Sequence, residues 1–526
     1  MSSKLELADI QGNILTAYGR LGFPKARYLV FHVGDAQAGR SFVAALHRRV
    51  TTALRWPSSR SAAGAGKNLL ARPPVTVNVA FTFRGLLALA LPVRTLRGMP
   101  DDFIDGMLAR ASILGDDVLD NTPEHWDPVW QPDRPSVHLL VTLNAQADAD
   151  GNPLPQLELE TEEILALAAA LNGASTGSLV LLDGHRGRSS RWQDLSALMK
   201  HGQPTAVEHF GFMDAIGDPI FSGQYPEGEE HGRAVGQGAV DGQGKWRPLA
   251  TGEFVLGWED EAQEVAGMAM PPDFSRNGSF FCYRKLHQHV EAFARWVDDT
   301  SRQFATAWGF DNLDDARQTL MAKMAGRWVD GVPLIAAPDI TAWKQFNERH
   351  APGSPQRDRA LVEFRYADDP QGTRCPLTSH MRRMNTRDAL DPRATAGPKE
   401  RMGSALNNRR RILRRGLPYG ARDSEDGEHG IVMLCHCASL SRQFEFVQQQ
   451  WLNFGLDFNA GNDSCPLAGN HPDGARFVIA ADPASGNAPF IAARLPQFVS
   501  TRGGDYFFAP SMTALRMIGM GLIDPT

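Results

Sequence analysis

The segment VTVNVAF (75–81) places Val75, Val77, Val79 and Phe81 at every second position, and VHLLVTL (137–143) does the same with Val137, Leu139, Val141 and Leu143. A period of two sends these side chains to one face of a strand, and that face requires a covering layer. RYLVFHV (27–33) and SLVLL (178–182) read as further strands. Between them, AGRSFVAALHRRV, PDDFIDGMLARA and TEEILALAAALN carry helical patterns. After residue 200 the same alphabet returns. GEFVLGW, GSFFCYRKL and GIVMLCHCA read as strands, while HVEAFARWV sets Val290, Phe293, Ala294 and Val297 on one helical face, and QFEFVQQQWL does so with Phe444, Val447 and Trp451. Sheets covered by helices are expected, in two halves divided near residue 200. At 526 residues the chain exceeds what one small core uses, which favours a 1–200 unit followed by a 201–526 unit. The polar, Gly-rich stretches at 225–248 and 351–374 read as long functional loops.

Composition excludes several classes. Hydrophobic residues make up 42% and charged residues 22%, so the chain buries a core and is not disordered as a whole. A net charge of −6 gives no reason to expect nucleic acid or anionic lipid as a partner. No apolar run approaches the length of a membrane span. Five cysteines do not make a disulfide framework in so long a chain. The opening MSSKLELADIQGNIL has neither an apolar signal core nor a twin arginine, so a cytoplasmic protein is expected.

Two motifs fail on inspection. DGQGKW (241–246) lacks the first glycine of a phosphate loop, and Trp246 stands where a magnesium-binding hydroxyl belongs. In CHC (435–437), a strand would turn Cys435 and Cys437 to one face and His436 to the other, so the three cannot converge on one metal ion.

Three polar groups in apolar or Gly/Pro surroundings remain: Asp214 in EHFGFMDAIGDP, His380 in CPLTSHMRRMNTR, and the arginines of RRRILRRGLPYG. Each also has an ordinary reading. Asp214 suits a turn or helix cap, His380 a satisfied polar residue, and the arginine run a solvated, ion-paired face.

In chain order, DIQGNIL (9–15), EHFGFMDAIGDP (208–219), GEFVLGW (252–258), NGSFFCYRKL (277–286), RCPLTSHMRRMNTR (374–387), RILRRGLPYG (411–420), RQFEFVQQQWLN (442–453) and RGGDYFFAPS (502–511) resemble the signature stretches of the dye-decolorizing peroxidases, in their larger, extended subclass. The resemblance implies an α+β fold of two ferredoxin-like halves, with mostly antiparallel sheets flanked by helices as in the dimeric α+β barrels. It implies one haem b per chain and the use of hydrogen peroxide to oxidise bulky aromatic or phenolic compounds and dyes, through an oxoferryl intermediate. His380 matches the proximal axial ligand of the haem iron. Asp214 matches the distal carboxylate of the family's Gly-x-x-Asp-Gly motif, whose second glycine is here Ala215. Arg414 matches the distal arginine, with Arg415 the alternative if the register slips. Ile431 and Met433 match the apolar cover of the distal haem face, and Asp463 is a possible carboxylate behind the proximal histidine. A haem-binding or haem-handling protein with little peroxidase turnover is the alternative that Ala215 keeps open. Oligomeric state is not legible.

Peroxide cleavage calls for these residue types. A neutral imidazole holds the iron and leaves a coordination position open. A carboxylate takes a proton from one peroxide oxygen and returns it to the other, worth about a hundredfold or more in rate. A guanidinium stays charged while negative charge develops on the leaving oxygen. A carboxylate base, with an unperturbed pKa of about 3.9, also predicts activity on the acidic side.

Overall fold

In the computed structural model, residues 5–521 are described, apart from 61–67, 173–176, 215, 227, 242, 267–268, 391–404 and 422–426. Among the described residues nine strands form one large sheet: β1 (Lys25–Val33), β2 (Val75–Phe81), β3 (Leu139–Ala145), β4 (Leu179–Leu181), β5 (Gln193–Ser196), β6 (Ser279–Gln288), β7 (Leu413–Tyr419), β8 (Gly430–Cys437) and β9 (Val499–Ala509). The order is β7-β8-β6-β9-β2-β3-β1-β4, with β5 also on β1, and every pairing is antiparallel. Strands before residue 200 make one half of the sheet and later strands the other. They meet where β9 pairs with β2 through Phe508 and Phe81.

Helices cover the sheet: α1 (Ala36–His47), α2 (Gln156–Asn172), α3 (Val290–Trp308), α4 (Leu313–Ala325), α5 (His380–Met384) and α6 (Met512–Met520). In α3, Phe293, Val297 and Phe304 are buried on one stripe, as the sequence period requires. Asn312 caps α4 by accepting from the Asp314 amide, and the helix ends at Gly326 with φ +86°. A side chain at Gly326 would also sit 3.2 Å from Cys375 Sγ and 3.3 Å from Ser379 Cβ. Glycine therefore lets the end of α4 lie directly against the segment that carries His380.

The alternation of β2 and β3 does not mark a solvated face. Thr76, Asn78, Thr142 and Asn144 are buried along with the apolar set. Asn78 donates to Gln11 Oε1 and to the Thr51 carbonyl, so the N-terminal segment supplies partners for one of these inward polar groups.

Three expected elements take other forms. GEFVLGW is a short 3₁₀ turn at Thr251–Glu253 followed by loop. Glu253 is fully buried there, taking Arg442 on its carboxylate and Gln443 on its carbonyl, a network that replaces a strand ladder. PDDFIDGMLARA is broken at Gly106, φ +77°, into Asp101–Asp105 and two short turns. QFEFVQQQWL lies in two wide π-helical runs, Leu440–Glu445 and Val447–Leu452.

A buried ion pair ties the halves together. Lys285 Nζ lies 2.6 Å from Asp127 Oδ2 with both side chains fully buried, and it also donates to the Arg186 carbonyl. Arg415 adds a second tie by donating to the carbonyls of Asn13 and Ile14.

Candidate active site

The residues from Ala206 to Asp214 form a tight reversal. Val207 bridges Met213, the Asp214 amide donates to the Ala206 carbonyl, and the Glu208 carboxylate accepts from the amides of Phe210 and Phe212, each at 2.8 Å. Glu208 also accepts from Gln288 on β6, and its removal from water holds its pKa above the ordinary carboxylate value. This closed loop sets Asp214 opposite β7. Ala215 lies outside the described residues.

Arg414 Nη1 lies 3.3 Å from Asp214 Oδ1, with side-chain exposures of 20% and 43%. Solvent therefore reaches the carboxylate more readily than its partner. Burial acts to lower the pKa of Arg414, but the carboxylates of Asp214 and Asp218 outweigh it, so the guanidinium is a fixed cation. Arg415 points away: it holds Asp218 Oδ2 at 2.8 Å and the carbonyls of residues 13 and 14. Adjacent positions on one strand serve opposite faces, and only Arg414 meets Asp214.

A cavity of about 190 Å³ lies between the C-terminal half-sheet and the helices packed on it. Its sheet wall has Arg414 of β7, Ile431, Met433 and Cys435 of β8, Leu286 and Gln288 of β6, and Val499 of β9. Register explains the set, because Met433 pairs with Arg284, Ile431 with Leu286 and Cys435 with Cys282, so alternate residues share one face. The helical wall has His380, Met381 and Met384 of α5, together with Trp328, Leu452 and Leu467. A larger cavity of about 650 Å³ shares Asp214, Arg414, Ile431 and Met433, and the Thr16–Arg20 segment and Asn144 contribute to it from the N-terminal half. Asp214, His380, Arg414, Ile431 and Met433 thus border the smaller cavity, His380 from the helical side and the others around the sheet side, whereas Arg415 and Asp463 do not line it.

His380 is placed by its neighbours. Ser379 Oγ donates to the Lys323 carbonyl of α4 at 2.6 Å, Arg382 pairs with Asp369 at 3.1 Å, and Arg383 Nη2 donates to the Asp463 carbonyl at 2.7 Å. Its Nδ1 is 3.3 Å from Cys465 Sγ. Among the described residues the other ring nitrogen makes no hydrogen bond. The Asp463 carboxylate is not behind this histidine; it faces Arg476 at 3.2 Å. Sequence reasoning missed Cys465, because a lone cysteine two positions from an acid carries no pattern of its own.

Two families of sequence profile match the chain: the DyP dimeric α+β barrel domain over residues 9–158 and the Dyp-type peroxidase C-terminal domain over residues 399–460. A dye-decolorizing peroxidase of Exidia glandulosa is 27% identical, with 98% of this chain and 87% of that one covered. A multifunctional dye peroxidase of Amycolatopsis sp. is 26% identical, covering 97% and 96%. Among solved structures, an ancestral D-type dye-decolorizing peroxidase superposes with TM-score 0.71 at 23% identity, covering 98% and 99%. A fungal DyP-type peroxidase from Auricularia auricula-judae gives TM-score 0.71 at 21% identity, covering 99% and 100%. The architecture is thus the α+β barrel of this class of peroxidases. The chain carries DyP-type peroxidase domains and is similar over nearly its full length to named dye-decolorizing peroxidases, which supports a haem peroxidase.

The residues fit a haem. One ring nitrogen of His380 is engaged and the other is left for a ligand. The walls are largely apolar, as a macrocycle face requires. Two buried polar atoms on the cavity lining, Arg327 Nε and Gln288 Oε1, have no hydrogen-bond partner among the described residues. Arg327 is fully surrounded by protein, burial pushes its pKa down to about 10, and its Nη1 reaches only the carbonyls of Gly331 and Leu361. A buried cation without a carboxylate suits the anionic edge of such a group.

Proposed function

We propose that this protein is a haem b peroxidase that reduces hydrogen peroxide and oxidises bulky aromatic or phenolic small molecules and dyes. The observation that carries the reading is the single cavity bordered by His380 on its helical wall and by the Asp214–Arg414 pair on the other side. The haem, when bound, supplies an iron with an open coordination position and the reducing equivalents for peroxide cleavage. His380 would hold the haem iron through the ring nitrogen that Cys465 leaves free. Arg327 is assigned to the group's acidic edge. Ile431 and Met433 exclude water from the face where peroxide sits. Asp214 Oδ1 is occupied by Arg414, so Oδ2 takes the proton from the nearer peroxide oxygen and returns it to the departing one. Arg414 stabilises the charge on that departing oxygen without titrating.

Complexes of a neighbouring dye-decolorizing peroxidase with 2,6-dimethoxyphenol support phenols as reductants. The larger cavity supports access for peroxide and small aromatics from the seam between the halves. Five free, buried cysteines support a reducing, cytoplasmic setting. Among the described residues no helix is long and apolar enough to cross a membrane. The test is an absorption spectrum before and after stoichiometric peroxide, followed by dye oxidation. A Soret band that converts with peroxide, and many turnovers of dye, are expected. A Soret band with no peroxide-dependent change would refute catalysis and leave a haem-handling protein.

A further inference from the structure

We propose that Cys465 is the positioning residue of the proximal histidine, accepting the Nδ1 hydrogen of His380 where a carboxylate would otherwise stand, and that it thereby sets a higher ferric/ferrous potential. The inference rests on the assignment of His380 as axial ligand.

Three observations carry it. Cys465 Sγ is 3.3 Å from His380 Nδ1 and is the hydrogen-bond partner of that ring among the described residues. The sulfur is not a passing contact. Cys465 is fully buried, its amide donates to the Leu452 carbonyl at 2.7 Å, and its own carbonyl accepts from His471 Nε2 at 2.9 Å and from the Gly469 amide at 3.0 Å. With its backbone tied on both sides, the side chain projects at the imidazole. Finally, the acid nearest in sequence is committed elsewhere, since Asp463 Oδ1 takes Arg476 Nε.

The chemistry follows from acceptor strength. A carboxylate behind a metal-bound imidazole draws on the Nδ1 hydrogen and makes the ligating nitrogen a stronger donor. A cysteine sulfur is a weaker hydrogen-bond acceptor than a carboxylate oxygen. His380 therefore keeps a firmer hold on its Nδ1 hydrogen and is a moderate donor with a fixed ring plane. A weaker donor stabilises ferric iron less, so the potential lies higher than with an acid in the same place. Cys465 belongs to the same buried apolar cluster as Leu452 and Leu467, and among the described residues no other hydrogen bond to the His380 ring is found.

The experiment uses the haem-loaded protein. Spectroelectrochemical titration and the ferrous iron–histidine stretch from resonance Raman are compared for the wild type, Cys465→Asp, Cys465→Ser and Cys465→Ala. Cys465→Asp is expected to raise the ferric-to-ferrous ratio at a fixed ambient potential at least tenfold, about 59 mV for a one-electron couple, with a higher stretching frequency. Cys465→Ser, nearly isosteric and a better acceptor, is expected to shift both readouts the same way by less. It decides the matter if the aspartate variant does not fold. Cys465→Ala, with no acceptor, is expected to shift neither readout in that direction. Wild-type values in both the Asp and Ser variants would overturn the proposal while leaving His380 as ligand. A His380→Ala protein with an unchanged Soret band and stretch would instead overturn the ligand assignment itself.

Discussion

His185 offers a quantitative test of the buried architecture beside the Lys285–Asp127 pair. It is 4% exposed, and neither ring nitrogen has a hydrogen-bond partner among the described residues. Burial, aided by the nearby charge of Lys285, pushes its pKa down to about 3. In the unfolded chain the same imidazole titrates near 6.5. The unfolded state thus binds one more proton than the folded state between those values, and stability falls as pH drops through that window. At pH 5 the proton bound by the unfolded chain is worth about 2 kcal/mol, and at pH 7.5 almost nothing. His185→Leu removes that titration. Whatever offset its altered packing adds, the difference in unfolding free energy between variant and wild type should move by about 2 kcal/mol in the variant's favour from pH 7.5 to pH 5. Urea unfolding at the two pH values measures it. A difference that stays constant within about 0.5 kcal/mol would refute the reasoning. An enzyme with a carboxylate base works on the side of the pH scale where this histidine weakens its fold.

Asp214→Asn and Arg414→Leu should each lower kcat/KM for peroxide by about a hundredfold or more. The double variant should lose much less than the product, because both groups serve the same oxygen pair, and stopped-flow peroxide consumption reads this out. Asp127→Asn leaves Lys285 buried without its counter-ion and should cost about 3–5 kcal/mol, seen as a lowered Tm; adding Lys285→Met should recover most of the loss. Arg415→Met cuts the bonds to Asn13, Ile14 and Asp218, so amide hydrogen exchange should rise in residues 11–16 more than in β7 itself.

Much of the sheet was legible because strand period and length are local properties. β1, β2, β3, β6 and β8 coincide with the apolar runs that suggested them. GEFVLGW misled because its alternation is that of a strand, while Glu253 answers to Arg442 and Gln443, partners nearly two hundred residues away. The period of two in β2 and β3 does not reveal that their polar positions are buried as well, since Asn78 finds its partner at Gln11, far away in sequence. The choice between Arg414 and Arg415 needed only the strand itself, since neighbours on β7 face opposite ways and Asp214 lies on one side. Cys465 was beyond reach, because nothing in NDSCPLAGN says which side chain the turn directs at His380, and an acid was the chemically familiar choice. Arg327 was hidden for a related reason: a buried arginine shows itself only by the carboxylate it lacks.

The large sheet closes through the one residue pair joining Phe508 to Phe81. The two half-sheets therefore meet at a seam, and the larger cavity draws its walls from both sides of it. Its aperture is then set by the angle at which the halves are joined as well as by the residues that line it. Substitutions in the N-terminal half that touch no candidate site residue, Phe81 among them, can widen or narrow the way to Asp214, and so select by size which aromatic compounds reach it.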